Sequence, residues 1–183
     1  SGDCPDSGYL IRRGAKASNN NGSKHFSPVL RLADMYLGYA EALCMCSDLD
    51  NALTYLNKIR VRAGIPEYTF TATAGKITCP KTQTDLLNRI RRERLVELVF
   101  EWNRYFDVRR WKVAEGQNDP YPAYHTGGEG GKVYGMNMDK DYPAFFERTS
   151  FETRVAFTKK QYFMPIPYDD LRRIPLLVQN LGW

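Results

Sequence analysis

The stretch from Thr84 to Lys112, which reads DLLNRIRRERLVELVFEWNRYFDVRRWK after its threonine, limits the fold more than any other part of the sequence. Laid out at the helical period, Leu86, Leu87, Ile90 and Leu98 form one stripe, and Arg94, Glu97, Glu101 and Arg104 fall inside it. A second stripe of Leu95, Val99 and Trp102, flanked by Val96 and Phe100, covers much of the remaining surface. A helix apolar on two sides is expected to lie between two layers. Charges embedded in such a helix cost several kcal/mol each, to an order of magnitude of about 3, unless they are paired. The pairing is available locally. Arg94 and Glu97 stand three residues apart, Glu97 and Glu101 four, Glu101 and Arg104 three, so opposite signs meet along the face. The expectation is a buried Arg/Glu ladder fixing neighbouring segments in register, with Asp107 and Arg110 in the same structural network.

Upstream, a helical signal begins at Ser27 and Pro28, with serine as N-cap and proline at the first helical position. Leu32, Tyr36, Ala40 and Leu43 recur at helical spacing to about Cys46. A second helix follows Asp48, carries Ala52, Leu56 and Ile59, and stops at Gly64 with Pro66 behind it. This hairpin, residues 28–66, resembles a tetratricopeptide unit in its Leu37, Gly38 and Tyr39 and in Ala52 through Tyr55. Stacked repeats bury their faces on neighbours, so one hairpin implies further neighbours. Residues 1–27 read as loop, with the tract Ser18 to Ser23 rich in Asn, Ser and Gly. The Thr-rich segment from Tyr68 to Lys81 reads as loop with a weak hairpin, after which Thr84 is placed as the cap of the central helices, residues 84–112.

Residues 113–183 read as loop-rich. Between Glu115 and Phe145 six glycines punctuate Tyr121, Tyr124, His125, Tyr134 and Tyr142. Sugar rings pack their C–H faces on such aromatic side chains, so Tyr121, Tyr124 and Tyr134 are the candidate ligand-binding residues. The same tyrosines would also serve to anchor a long loop to the body. Phe151 to Phe163 alternates enough for a strand or two, with Val155, Phe157 and Tyr162 inward. Pro165 to Pro167 is an extended turn, a short helix covers Asp169 to Arg173, and the tail offers apolar residues to bury, Trp183 among them. The fold class is therefore mainly α, a tetratricopeptide-like helical hairpin and central helices with long loops and a short β-hairpin.

Net charge of +5 permits acidic partners without selecting one. Much of the basic charge faces Glu93, Glu97, Glu101 and Asp107 within the central stretch, and no aromatic-basic groove motif is present, so nucleic acid is not expected. No apolar run reaches the roughly 18 residues of a membrane span, and the opening SGDCPDSGYL lacks a secretory leader pattern, making Cys4 a poor lipid-anchor candidate. The four cysteines, Cys4, Cys44, Cys46 and Cys79, lack metal-ligand spacing. Cys44 and Cys46 point about 200° apart on a helix. An exported protein would permit a Cys4–Cys79 disulfide, which spacing alone does not establish. No metal site and no cofactor is expected, in the absence of a glycine-rich phosphate motif.

The string IRRERLVELVFEWNRYFDVRRW resembles the signature of the SusD/RagB family of outer-membrane nutrient-binding lipoproteins, through Glu93, Arg94, Glu97, Phe100, Glu101, Arg104, Asp107, Arg110 and Trp111. The blocks RLADMYLGYAEAL with ALTYLNKIRVRAGIP upstream, and YFMPIPYDDLRRIPLLVQNLGW downstream, resemble the family in the same order. The tail departs from the family ending, with Ile174 before Pro175 and Leu181 in place of a proline. The resemblance implies that residues 1–183 are the C-terminal part of a longer SusD-like domain, whose N-terminal portion and lipid anchor lie outside this chain and would associate with it. It implies a cell-surface, outer-membrane location in Bacteroidetes-type bacteria, capture of an oligosaccharide or peptide nutrient, and a SusC-like TonB-dependent transporter as partner. Two other readings stand beside it. One is a structural interaction scaffold whose ligand site lies elsewhere. The other is a glycosidase using Glu97 and Glu101, whose spacing approaches the roughly 5–5.5 Å carboxyl separation of retaining enzymes. Neighbouring Arg94 and Arg104 would keep both carboxylates ionised, against an acid with a raised pKa, so no enzymatic activity is expected.

Overall fold

The structure is a computed structural model that describes residues 29–114, 132–153 and 157–183. The chain divides into two compact units, one spanning Ser18–Phe106 and the other Asp107–Trp183 with Ser1–Ala17.

The first unit is built on three helices: α1 (Leu32–Met45), α2 (Leu49–Arg62) and α3 (Gln83–Glu97). Helix α1 starts later than Ser27, which lies outside the described residues. Its N-cap is Arg31, on extended backbone with no side-chain cap bond, because a guanidinium has no acceptor for the first-turn N–H groups. The α1 end closes in a Schellman arrangement in which Ser47 takes the left-handed conformation (φ 66°), Ser47 N donates to the Cys44 carbonyl and Asp48 N to that of Leu43. Asp48 then caps α2, its carboxylate accepting from Asn51 N at 3.3 Å. Gly64 (φ 70°) repeats the same closure at the α2 end, with Gly64 N on the Val61 carbonyl and Ile65 N on that of Arg60. A left-handed residue at this position is where glycine costs least.

The core joins Leu37, Ala40 and Cys44 of α1 to Ala52, Leu56 and Ile59 of α2 and to Leu86 and Ile90 of α3. The alanines let α1 and α2 approach closely, while each buried leucine or isoleucine contributes about 1.5–3 kcal/mol. Beyond α2 the chain is pinned by side chains. Both ends of the Asn57 amide bond the Tyr68 backbone, at 2.8 and 2.9 Å, and Arg60 Nε donates to the Pro66 carbonyl at 2.6 Å. The Tyr68 ring lies between the guanidinium groups of Arg60 (4.0 Å) and Arg89 (4.7 Å). The expected weak hairpin is instead a parallel pair, β1 (Tyr68–Thr69) with β2 (Ile77–Thr78).

The cap of α3 is Thr82, whose hydroxyl accepts from Asp85 N at 3.3 Å, and Thr84 falls inside the first turn. The helix also ends sooner than its pattern predicts. It stops at Glu97, and Leu98 to Trp102 form a turn in which Phe100 (φ 63°) and Trp102 (φ 65°) are both left-handed, before α4 (Asn103–Arg110). The second apolar stripe is therefore not one helix face between two layers. Val96, Val99, Phe100 and Trp102 are exposed among the described residues, Trp102 by 83 %.

In the second unit, β3 (Lys132–Gly135) pairs antiparallel with β4 (Thr149–Thr153), from Lys132 against Thr153 to Gly135 against Thr149, with a register shift between Val133 and Tyr134 that leaves Phe151 without an opposite residue. The predicted strand region thus begins two residues before Phe151, and its partner lies in the glycine-rich stretch. Residues Lys159–Tyr162 form a 3-10 turn, and α5 covers Tyr168–Arg173. The terminal segment is held by polar side chains. Gln179 accepts from Ile166 N at 2.8 Å and donates to the Ile166 carbonyl at 3.0 Å, Asn180 donates to the Met164 carbonyl at 2.6 Å, and the Trp183 indole donates to the carbonyls of Lys160 and Phe163. The tail's apolar residues were expected to be buried, yet Leu176, Val178 and Leu181 are exposed.

Candidate functional site

The centre of the helical unit's electrostatics is Arg31, just before α1. Its Nε faces both Glu101 carboxylate oxygens at 2.8 and 2.7 Å, its Nη1 donates to Glu97 Oε1 at 2.5 Å, and its Nη2 donates to the Glu97 carbonyl at 2.6 Å. Arg62, in the last turn of α2, closes on the second Glu97 oxygen at 2.6 Å. Two carboxylates from the α3 end and the turn behind it are thereby tied to the start of α1 and the end of α2. Two further pairs run the same way. Arg94 Nη1 of α3 meets Asp34 of α1 at 3.1 Å, and Arg60 of α2 meets Glu93 of α3 deep in the unit.

The described pairs of this network go beyond the spacing of a single helix. The pairs described for Glu97 and Glu101 run across elements, to positions 66 and 70 residues away for Arg31, rather than along one helix. The end of α3 at Glu97 explains part of this, since Glu101 lies in the turn and not on the α3 face. Arg104 stands in the first turn of α4, partly buried. In the second unit Asp107, which is buried, takes Arg110 Nε at 2.9 Å. Arg31, Arg60, Arg62 and Asp34 were not legible as members. The available signal was only their position: Arg60 and Arg62 in a basic last turn, Asp34 in an acidic first turn.

Burial works to raise the Glu97 pKa, and the hydrogen bonds and charges of Arg31 and Arg62 outweigh it, holding the carboxyl below its ordinary value of 4.5. A carboxylate so held is a poor proton donor. The pair can brace helices, and it does not offer the raised-pKa acid that glycoside hydrolysis requires.

Of the three predicted ligand tyrosines, Tyr121 and Tyr124 lie outside the described residues. Tyr134 sits in β3 with the Arg148 guanidinium 4.1 Å from its ring centroid, so one face of that ring carries a cation. The cysteines behave as their helical phase requires, Cys44 buried and Cys46 exposed. Cys79 is a free, buried thiol, and Cys4, the partner considered for it, lies outside the described residues. Burial pushes the Cys44 and Cys79 thiols above their ordinary value. Among the described residues no group of three or more His, Cys, Asp or Glu could hold a metal, and no helix is long and apolar enough to cross a membrane.

A family model described as the SusD family matches residues 1–183. The chain belongs to the SusD family. A SusD-like protein of Bacteroides ovatus is 30 % identical over 167 residues, covering 81 % of this chain and 28 % of its own length. SusD-like protein P2 of Formosa agariphila is 28 % identical over 175 residues, covering 92 % and 28 %. The crystal structure of a SusD-like protein from Bacteroides fragilis superposes with a TM-score of 0.62 at 29 % identity, over 85 % of this chain and 25 % of that one. The chain thus spans little more than a quarter of the length of these SusD-like relatives. Their fold agrees with the mainly helical architecture described above.

Proposed function

We propose that the chain is part of a cell-surface nutrient-binding protein that captures an oligosaccharide or peptide without chemically altering it, and hands it to a SusC-like TonB-dependent outer-membrane transporter. The supporting observation is the SusD-family match along all of residues 1–183. In this reading the protein is held to the outer membrane by a lipid anchor outside this chain, and its remaining N-terminal portion associates with this chain. The hairpin and its Arg31 network supply rigidity, and Tyr121, Tyr124 and Tyr134 supply aromatic faces for sugar rings. The clamped carboxylates weigh against the glycosidase alternative, because Glu97 and Glu101 are committed to Arg31 and Arg62.

The test is a glycan and peptide binding screen on the intact protein, repeated with Tyr121, Tyr124 and Tyr134 changed to Ala. Loss of sugar binding at an unchanged melting temperature is the expected result. Retained binding would assign the ligand site elsewhere and leave this chain as scaffold, and absence of any nutrient binding would defeat the proposal. Release of reducing sugar that disappears in Glu97→Gln would favour the glycosidase.

A further inference from the structure

A pocket of about 550 Å³ opens on the helical hairpin, lined by Tyr36 of α1, by Thr54, Lys58, Val61 and Arg62 of α2, and by Glu67 beyond it. Its size falls within the roughly 300–1,000 Å³ range of small-ligand sites. The α2 positions recur at intervals of three and four residues, so they form one continuous stripe.

The stripe carries an unusual arrangement of cation and aromatic. Lys58 Nζ lies 4.2 Å from the Tyr55 ring centroid and 4.9 Å from that of Tyr36, and Tyr39 packs edge-on against Tyr55 at 4.7 Å. Two tyrosine rings, those of Tyr36 and Tyr55, thus hold an ammonium group at the pocket wall, where among the described residues it has no carboxylate partner. Arg62 spends one guanidinium nitrogen on Glu97 while its side chain stays 55 % exposed, so donors remain on its outer edge. Glu67, the pocket's acid, is offset by Lys76 at 2.7 Å. Asn57 also lines the pocket, but both ends of its amide are committed to the Tyr68 backbone. The groups left available are the Lys58 ammonium and the outer donors of Arg62, whose charge Glu97 already offsets in part, beside an aromatic wall. The nearby α2 C-terminus presents carbonyl groups and disfavours an anion, so any anion here must be held by the side chains.

We propose that this pocket binds a carboxylate-bearing sugar, a uronate residue of an acidic glycan, with its carboxylate on Lys58 and Arg62 and its ring against Tyr36. A neutral sugar would use the ring wall and leave the cations without a partner, whereas a simple anion would use the cations and leave the wall bare. Only a ligand with both features uses the whole site. This inference rests on the nutrient-binding reading above and narrows its substrate class.

Calorimetric titration of the intact protein with tetragalacturonate and with neutral cellotetraose tests it. Lys58→Gln should weaken tetragalacturonate binding by about tenfold or more, the loss of one charge-assisted contact, with Lys58→Arg retaining most of the affinity and the melting temperature unchanged in both. Equal affinity of Lys58→Gln and the native protein overturns the pocket while leaving nutrient binding intact. Binding of the neutral sugar alone also overturns it without touching that reading. If the screen of glycans and peptides finds no ligand at all, the broader reading fails and takes this inference with it.

Discussion

The helical unit and the C-terminal unit solve the same problem, holding a chain with many charges and few long elements, by different means. In the first, a continuous apolar core from Leu37, Leu56, Leu86 and Ile90 is bounded by ion pairs that reach across helices. In the second, the described buried apolar residues reduce to Val113, and segments without regular structure are tied by side-chain amides and an indole to backbone carbonyls. The contrast teaches that regular elements satisfy their own backbone and free their side chains for packing. Irregular chain has backbone groups left over, so its polar side chains are drafted to satisfy them.

The largest test of this contrast is Ile90→Ala. Ile90 is fully buried on α3, and its truncation should cost about 2–5 kcal/mol in denaturant unfolding, read at the α1, α2 and α3 amides. A loss under about 1 kcal/mol would mean that the helices are not held mainly by their apolar core. Next comes Arg31→Met, which leaves Glu97 and Glu101 part-buried beside one another without their shared cation. A loss of about 3 kcal/mol is expected. A double-mutant cycle with Glu97→Gln should return a clear coupling energy, and additivity would contradict the ion-pair account.

The pH dependence follows from the same pair. Because the folded Glu97 pKa is lowered, the unfolded state binds its proton first as pH falls. Its stabilisation is present above the unfolded carboxylate value of about 4.3 and is lost as pH drops through the folded value. An acid titration of the melting temperature should therefore fall less steeply below that point in Glu97→Gln than in the native protein. Parallel curves would remove Glu97 from the acid limb. The smallest effect should come from the other region. Gln179→Ala removes two bonds to the Ile166 backbone, and a cost of about 1–2 kcal/mol is expected. It should appear as faster hydrogen exchange at the Ile166 amide, and unchanged exchange there would show that the amide clamp is ornamental.

The sequence by itself determined where the helices are and which residues form their common core. Helical spacing of apolar residues in α1 and α2, Asp48 as a cap and Gly64 as a stop are local signals, each set by backbone geometry that neighbours in sequence can satisfy. The charged residues of the 84–112 stretch signalled a need for partners, since charge inside an apolar pattern demands them. The partners that arrive from other elements, Arg31 and Arg62, were not legible. Helical periodicity describes one element at a time, and it continued the α3 stripe past Glu97 into a turn where Phe100 and Trp102 take left-handed conformations. Only the tertiary structure decided that Arg31 and Arg62, distant in sequence, would arrive at Glu97, and that Lys58 would rest on two tyrosine rings. An ion pair depends on which helices pack together and at what offset, a property of the assembled core that sequence spacing within one helix does not contain.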